Sequence, residues 1–309
     1  MASNTLHITN GNVLTDYLQE LHYEGHFLTW QEMLCEGPTI EEIDSKAFFE
    51  LRKDFLSEFY DIEIDDEEFH KELDILNHTH QFEKIILWFE YDLFCHINLI
   101  AVINLLREKK IDLPLYLVCS GRVKGEKDFK GLAELTPEQL HYHYETKIKL
   151  SKNDVDLMCS LWQIYCSQDH NLFKPFIVQN SSFPYLSNCL KAHLQRFPDS
   201  ITGLSTLEFH ALQIISTQKI KSKRHLLGYL LNFQGFYGFG DLQIIKMIDV
   251  LSVFYTETEQ QIVLNIKGEA ALKQQHDFSP EMTTSMQFGG AKKMDFRFDK
   301  VEKKLIKTV

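Results

Sequence analysis

The stretch Lys84-Ile85-Ile86-Leu87-Trp88-Phe89, followed at once by Glu90-Tyr91-Asp92, decides the fold. An unbroken apolar run after Lys84 reads as a strand covered on both faces, the pattern of a parallel sheet with helices on either side. Just downstream, Leu93, Ile97, Ile100, Ala101, Asn104 and Leu105 recur at helical spacing. Leu115-Tyr116-Leu117-Val118-Cys119 then repeats the strand pattern and ends in Ser120-Gly121. Upstream, Leu6-His7-Ile8-Thr9 runs into the turn Asn10-Gly11-Asn12 and a helical stripe of Val13, Leu14, Tyr17, Leu18 and Leu21. A shorter strand, His26 to Trp30, leads to Cys35-Glu36-Gly37-Pro38. It is followed by helical spacing at Phe48, Phe49, Arg52, Phe55, Leu56 and Phe59 and by a charge-dense, solvated stretch from Glu58 to Asp74.

Strands alternating with helices imply parallel strands with right-handed crossovers. The predicted architecture is therefore α/β. Residues 1–135 form a Rossmann-like parallel sheet, with Lys84 to Phe89 and Leu115 to Cys119 central and Leu6 to Thr9 beside them. Residues 136–202 read as a helical segment packed on it, opened by Thr136-Pro137-Glu138-Gln139 and Ser151-Lys152-Asn153-Asp154, each an N-cap signal. A third helix is predicted over Pro184 to Phe197, and Pro198 and Gly203 end it. Residues 203–309 read as a winged-helix-like α+β module: helices from Leu204 to about Thr217, Ser222 to about Asn232 and Asp241 to about Val253, then two short strands as the wing.

Charge supports the break near 203. Residues 1–202 hold 18 Lys+Arg against 33 Asp+Glu, or −15, whereas residues 203–309 hold 14 against 11, or +3. The chain of 309 residues carries −12 overall, which disfavours coating nucleic acid or an anionic membrane, since both need a cationic face. With 44% hydrophobic and 25% charged residues it is an ordinary globular composition. The six cysteines include no CxxC pair and mostly sit in apolar runs. No segment reads as a signal peptide or membrane span, so a reduced, cytoplasmic setting is expected.

In an open α/β sheet, ligands bind outside the carboxyl ends of the strands. That rule selects Asn10-Gly11-Asn12, Glu36-Gly37, Glu90-Tyr91-Asp92 and Ser120-Gly121. Gly11 permits a tight turn into a helix N-terminus, an anion site or a simple capped turn. Glu90 and Asp92, one residue apart, point to one side if strand geometry persists; they could hold Mg²⁺, share a proton or bind ribose hydroxyls, or Asp92 could merely cap the next helix while Glu90 faces water. His96, four residues past Asp92, lacks a third ligand nearby. Arg52, amid apolar residues, needs an anionic partner if buried; Glu36, Glu90 or a phosphate would serve, and a snorkelling exposed Arg is the alternative. In the third C-terminal helix Asp241 and Asp249 outnumber Lys246, which disfavours DNA, although Lys219, Lys221, Lys223 and Arg224 cluster around the start of the second.

With these residues quoted, the chain resembles a bacterial family known as domain of unknown function eighteen thirty-five, with its usual smaller C-terminal companion domain of unknown function. The matching segments are Leu6 to Asn12, Trp30 with Leu34 to Pro38, Leu51-Arg52 with Phe55-Leu56, Leu87 to Phe94, Gly131-Leu132 with Leu135 to Leu140, His193-Leu194 with Phe197-Pro198, Gly203 to Ser205, and Gly289-Gly290. Asn12 stands where the family shows Asp, and Tyr91 where it shows His. The resemblance implies the architecture and the place of the site, and assigns no reaction.

The functional expectation is a small-molecule site for a phosphorylated or nucleotide-like ligand, in a hydrolase or transferase. Asn10, Gly11 and Asn12 would position the anion, with Glu36, Gly37, Ser120 and Gly121 around it and Arg52 neutralising it. Glu90 or Asp92 would act as general base or Mg²⁺ ligand. The alternative is a non-enzymatic regulator or adaptor that binds DNA or protein through the C-terminal module, with a protein partner or homodimer in view. The aromatic segment Phe233, Phe236, Tyr237 and Phe239 is too apolar for a free loop, so helices of residues 136–197 or a second subunit should cover it.

Overall fold

The computed structural model describes residues 4–308. Its centre is a five-stranded sheet in which β1 (Thr5–Asn10), β2 (His26–Trp30), β3 (Lys84–Trp88) and β4 (Leu115–Val118) are parallel, in spatial order β2-β1-β3-β4. A two-residue strand, β5 (Ile148–Lys149), closes the far edge antiparallel to β4. The α/β reading thus holds, with β3 in the middle. The sheet also recruits residues past 135, where the sequence predicted only helices.

Why β3 sits there follows from its side chains. Ile85 and Leu87 face one layer and Ile86 and Trp88 the other, all fully buried. Fully burying such a side chain stabilises the fold by roughly 1.5–3 kcal/mol, so an edge position would forfeit half of that cover. One layer holds α1 (Asn12–Glu20) and α5 (Pro137–Glu145), which bring Leu14, Leu18 and Leu140 onto Trp88. The indole N–H of Trp88 donates to His7 Nδ1 (3.0 Å), which leaves Nε2–H of His7 facing the Glu24 carbonyl (3.3 Å). Burial pushes His7 down to about 4, so the ring is neutral.

The other layer is α4 (Leu93–Glu108), buried almost all round, with α6 (Lys152–Cys166) and α8 (Leu186–Leu194) against it. Between β2 and β3 run α2 (Lys46–Tyr60) and α3 (Asp66–Asp74), and the short α7 (Lys174–Val178) precedes α8. The C-terminal part comprises α9 (Thr206–Thr217), α10 (Lys223–Phe233), α11 (Asp241–Val250), the antiparallel pair β6 (Tyr255–Glu257) and β7 (Ile262–Leu264), and α12 (Ile266–Leu272).

Two further hairpins, β8 (Gln287–Phe288) with β9 (Ala291–Lys292) and β10 (Phe296–Asp299) with β11 (Lys304–Lys307), were not foreseen. They build a second core in which Phe288, Phe296 and Phe298 meet Phe55 of α2 and Phe197. The turn between β8 and β9 is Gly289-Gly290. A Cβ on Gly289 would stand 2.0 Å from the Tyr165 carbonyl oxygen, which explains a glycine pair closing over the end of α6.

The main core is continuous from Leu6 to Met282, across residues 135 and 203. The aromatic segment before α11 is held by the start of α4 as well as by Tyr185 of the 136–197 segment. Leu93 N–H donates to the Phe236 carbonyl (2.8 Å) and Phe94 N–H to that of Tyr237 (3.2 Å), so the start of α4 holds its backbone. Phe236 lies among the rings of Tyr91, Phe129 and Tyr185, while Phe233 stays exposed.

Candidate functional site

Because β1, β3 and β4 are parallel neighbours, Asn10, Glu90 and Ser120 fall on one edge of the sheet. Asp92 caps α4: its Oδ1 accepts the Cys95 N–H at 2.8 Å. Glu90 does not face open water, since it accepts the Leu132 N–H at 2.6 Å and lies against Gly131. The carboxylates of both converge with the Cys95 thiol. One ligand atom from each lies within 4.8 Å of the others.

Burial is the main cause that pushes Glu90 up to about 7, with the neighbouring Asp92 adding to it and the Leu132 hydrogen bond opposing. Burial also pushes Asp92 up to about 6, against its N-cap hydrogen bonds. Cys95 is raised well above the ordinary thiol range by burial and then by these two acids. Such a group can keep a proton on one of the carboxylates near neutrality. Two hard oxygens also suit a divalent cation completed by water, with the thiol as a softer third donor.

Asn10 completes the cluster from β1. Its Nδ2 donates to Cys95 Sγ (3.1 Å) and its Oδ1 accepts from Asn98 Nδ2 (2.8 Å). Gly11 has φ +95 and open space where a Cβ would be, and α1 starts without a side-chain cap, so its first N–H groups face outward. Asn12 accepts from Gln31 (3.2 Å) at the surface. Ser120 is buried with an unpartnered hydroxyl, and Gly121, at φ +147, presses on the Tyr185 ring.

Arg52, Glu36 and Gly37 do not join this group. The Arg52 guanidinium donates to the Glu32 carboxylate from Nε (3.1 Å), to the carbonyls of Glu36 (2.7 Å) and Pro38 (3.2 Å) from Nη1, and to that of Met33 (3.0 Å) from Nη2. Nη2 also stands 3.1 Å from the same Glu32 oxygen. Four hydrogen bonds and the Glu32 ion pair hold the guanidinium on the protein's own groups, and at 1% exposure it is not presented to a phosphate. The partner is Glu32, not the Glu36 or Glu90 carboxylate that the sequence suggested, and the loop after β2 is what Arg52 holds. Gly37 (φ +84) exchanges main-chain bonds with Gln287 and Gly289, and the Glu36 carboxylate accepts from Tyr60 and from Gln243 (2.8 Å).

Cys95 and Asn98 are site residues that sequence reasoning missed. The available signal was helical spacing: Cys95 is three residues past Asp92 and therefore stands over the same turn. His96, at four, turns its Nδ1 to the Asp92 carbonyl (2.9 Å), and its buried Nε2 is unpartnered. Tyr91, at the position where the resembled family has His, stacks on Phe129 with centroids 4.9 Å apart.

No family model and no curated protein matches the chain. Among solved structures it is similar to the "DNA-binding, cleavage and re-ligation domain" of Plasmodium falciparum topoisomerase II, with a TM-score of 0.45 and 12% identity over 80% of this chain and 41% of that one. The chain thus spans about two fifths of that structure, and a likeness this low carries no argument. No helix among the described residues is long and apolar enough to cross a membrane.

Proposed function

We propose that the carboxyl edge of the sheet binds a small phosphate- or nucleotide-like molecule and that Glu90, backed by Asp92, is the proton-transferring or Mg²⁺-holding group of a hydrolytic or transfer reaction. One observation carries this reading: the two carboxylates and the Cys95 thiol come within 4.8 Å of one another beside the uncapped start of α1. A group near 7 is matched to general acid–base work at neutral pH, and a bound cation would return both acids to their charged forms. Anion contacts fall to the α1 N-terminus, Asn12 and the Ser120 hydroxyl, since Arg52 is held on the protein's own groups.

The six free cysteines accord with a reduced, cytoplasmic setting. The resemblance to domain of unknown function eighteen thirty-five is part of the same proposal. With Asn12 and Tyr91 at the two departing positions, any base or metal-ligand role that relatives place there is altered here, and proton transfer falls to Glu90 and Asp92.

Thermal shift against nucleotides and sugar phosphates, with and without Mg²⁺, tests the reading. A Mg²⁺-dependent shift is expected for the wild type and is lost in Glu90→Gln. Absence of any shift, or shifts in Glu90→Gln and Asp92→Asn as large as the wild type's, removes the proposal.

The regulator reading rests on the order of α9 to β7, three helices then a hairpin, as in a winged helix, and on the exposed Lys219, Lys221 and Arg224, which form no ion pair among the described residues. Against it, Gln243 of α11 is buried on Glu36, Lys246 leans over the Phe59 ring, and Lys223 pairs with Asp249 (2.7 Å). One side of α11, with Gln243, Ile244 and Ile248, is therefore packed on the rest of the protein, while Asp241, Ile245, Lys246 and Asp249 stay exposed. Salt-dependent DNA binding lost in Lys221→Glu would restore the DNA reading.

A further inference from the structure

Arg196 is the second buried arginine, and its situation is the opposite of Arg52. It is 3% exposed, yet no carboxylate lies within 4 Å of its guanidinium among the described residues. Its Nη1 donates to the Cys35 carbonyl and its Nη2 to His193 Nδ1, while Nε–H has no partner. An arginine can only donate, so proton positions follow along the chain. His193 accepts at Nδ1 and donates from Nε2 to His170 Nδ1 (2.8 Å), and His170 donates from Nε2 to the Tyr165 carbonyl (3.0 Å). Both rings are neutral in this arrangement, and neither offsets the Arg196 charge.

Arg196 lines a cavity of about 90 Å³ between α2, the end of α8, α11 and the β8–β9 hairpin. Tyr237 lines it too, with a buried hydroxyl that has no partner within hydrogen-bond geometry among the described residues. The charged groups of the wall are Arg196, Lys246 and Lys293 against Glu36 and Glu208, three cations to two acids. Lys293 and Glu208 pair at 2.6 Å, and Glu36 is satisfied by Tyr60 and Gln243. The wall thus carries a net charge of one positive unit, with the Arg196 guanidinium 4.0 Å over the Phe288 ring and no carboxylate on it, and most of the remaining wall is apolar, including Met247, Met282 and Met286.

We propose that this cavity is a binding site for a small organic monocarboxylate, its planar head between Arg196 and Tyr237 and its tail among the methionines. A carboxylate supplies the single negative charge and matches a guanidinium edge. Phosphate brings more charge than the wall offsets, and polar oxygens on every side where the methionines offer no donor. At roughly 15 Å³ for each water-sized position, the volume takes about six non-hydrogen atoms, the head and first carbons of a short acid, and the open side of the pocket leaves the tail length to the experiment. The site is separate from Glu90 and Asp92 and stands without the reading of that pair.

Titration calorimetry of the full-length chain with sodium acetate, propionate, butyrate and pentanoate, with butyramide and sodium phosphate as controls, tests it. The wild type should bind one member of the acid series saturably and at least tenfold more tightly than butyramide. Tyr237→Phe, which keeps the ring, should weaken that acid about fivefold or more, and Arg196→Lys should weaken it further. If Arg196→Lys does not fold, Tyr237→Phe decides alone. The proposal is overturned if no acid of the series binds saturably, if butyramide binds as well, if phosphate binds more tightly, or if Tyr237→Phe leaves affinity unchanged.

Discussion

Gly238 lies so close to Asp92 that a Cβ on it would stand 2.2 Å from the Asp92 carboxylate carbon. The C-terminal half of the chain thereby covers the acid that starts α4, with Tyr237 turned to the Arg196 cavity and Gly238 to the carboxylate cluster. One short segment thus walls both candidate sites.

Gly238→Ala should therefore be costly. The residue has φ +68, where an L side chain is strained, and the added methyl must displace Asp92 or the segment. A loss of about 2–4 kcal/mol is expected in urea unfolding, from the left-handed backbone and overpacking together. Unchanged stability would mean the contact is loose.

The pH dependence of Glu90 has a definite sign. Its folded value is about 7, above the ordinary 4.5, so the folded chain holds a proton that the unfolded chain has released. Stability from this group is full below about 4.5 and falls as pH rises to about 7. In Glu90→Gln the loss disappears, so the variant should gain on the wild type by on the order of 2 kcal/mol between pH 4.5 and 7 without added metal. Denaturant melts at a series of pH values read the difference, in which the histidines cancel.

Arg52→Met should unfold the protein more readily by about 3–5 kcal/mol, because Glu32 is left buried and unpaired. Arg52→Met with Glu32→Met should recover most of that loss. If Arg52 instead served as an anion clamp, the single variant would lose ligand-induced stabilisation while its ligand-free stability stayed near that of the wild type.

Limited proteolysis near Gly203 should not release a soluble, folded 203–309 fragment. That fragment would expose Tyr237, Ile244 and Phe288, all buried in the intact chain, and break the bonds from Leu93 and Phe94. Recovery of a monomeric folded fragment would count against the shared core.

The alternation of apolar runs and helical stripes by itself determined the central β3, its parallel neighbours and the helix N-caps at Thr136 and Ser151, because local periodicity and capping are properties of a few adjacent residues; the Asp92 cap it left open. It also located Asn10, Glu90 and Ser120 at one edge, since parallel strands must end together. What it could not determine were partners brought from far along the chain. Whether Arg52 met Glu32, Glu36 or a phosphate depended on the path of the loop after β2, and no spacing encodes that path. Arg196 drew no notice in the sequence, for its lack of a carboxylate is a fact about everything that surrounds it. The two C-terminal hairpins had strands too short to show a period, and only packing on Phe55 and Phe197 gives them a core. Tertiary structure likewise turned Gln243 and Tyr237 inward. Burial in three dimensions, and not residue type, separates a surface amide or phenol from one that lines a cavity.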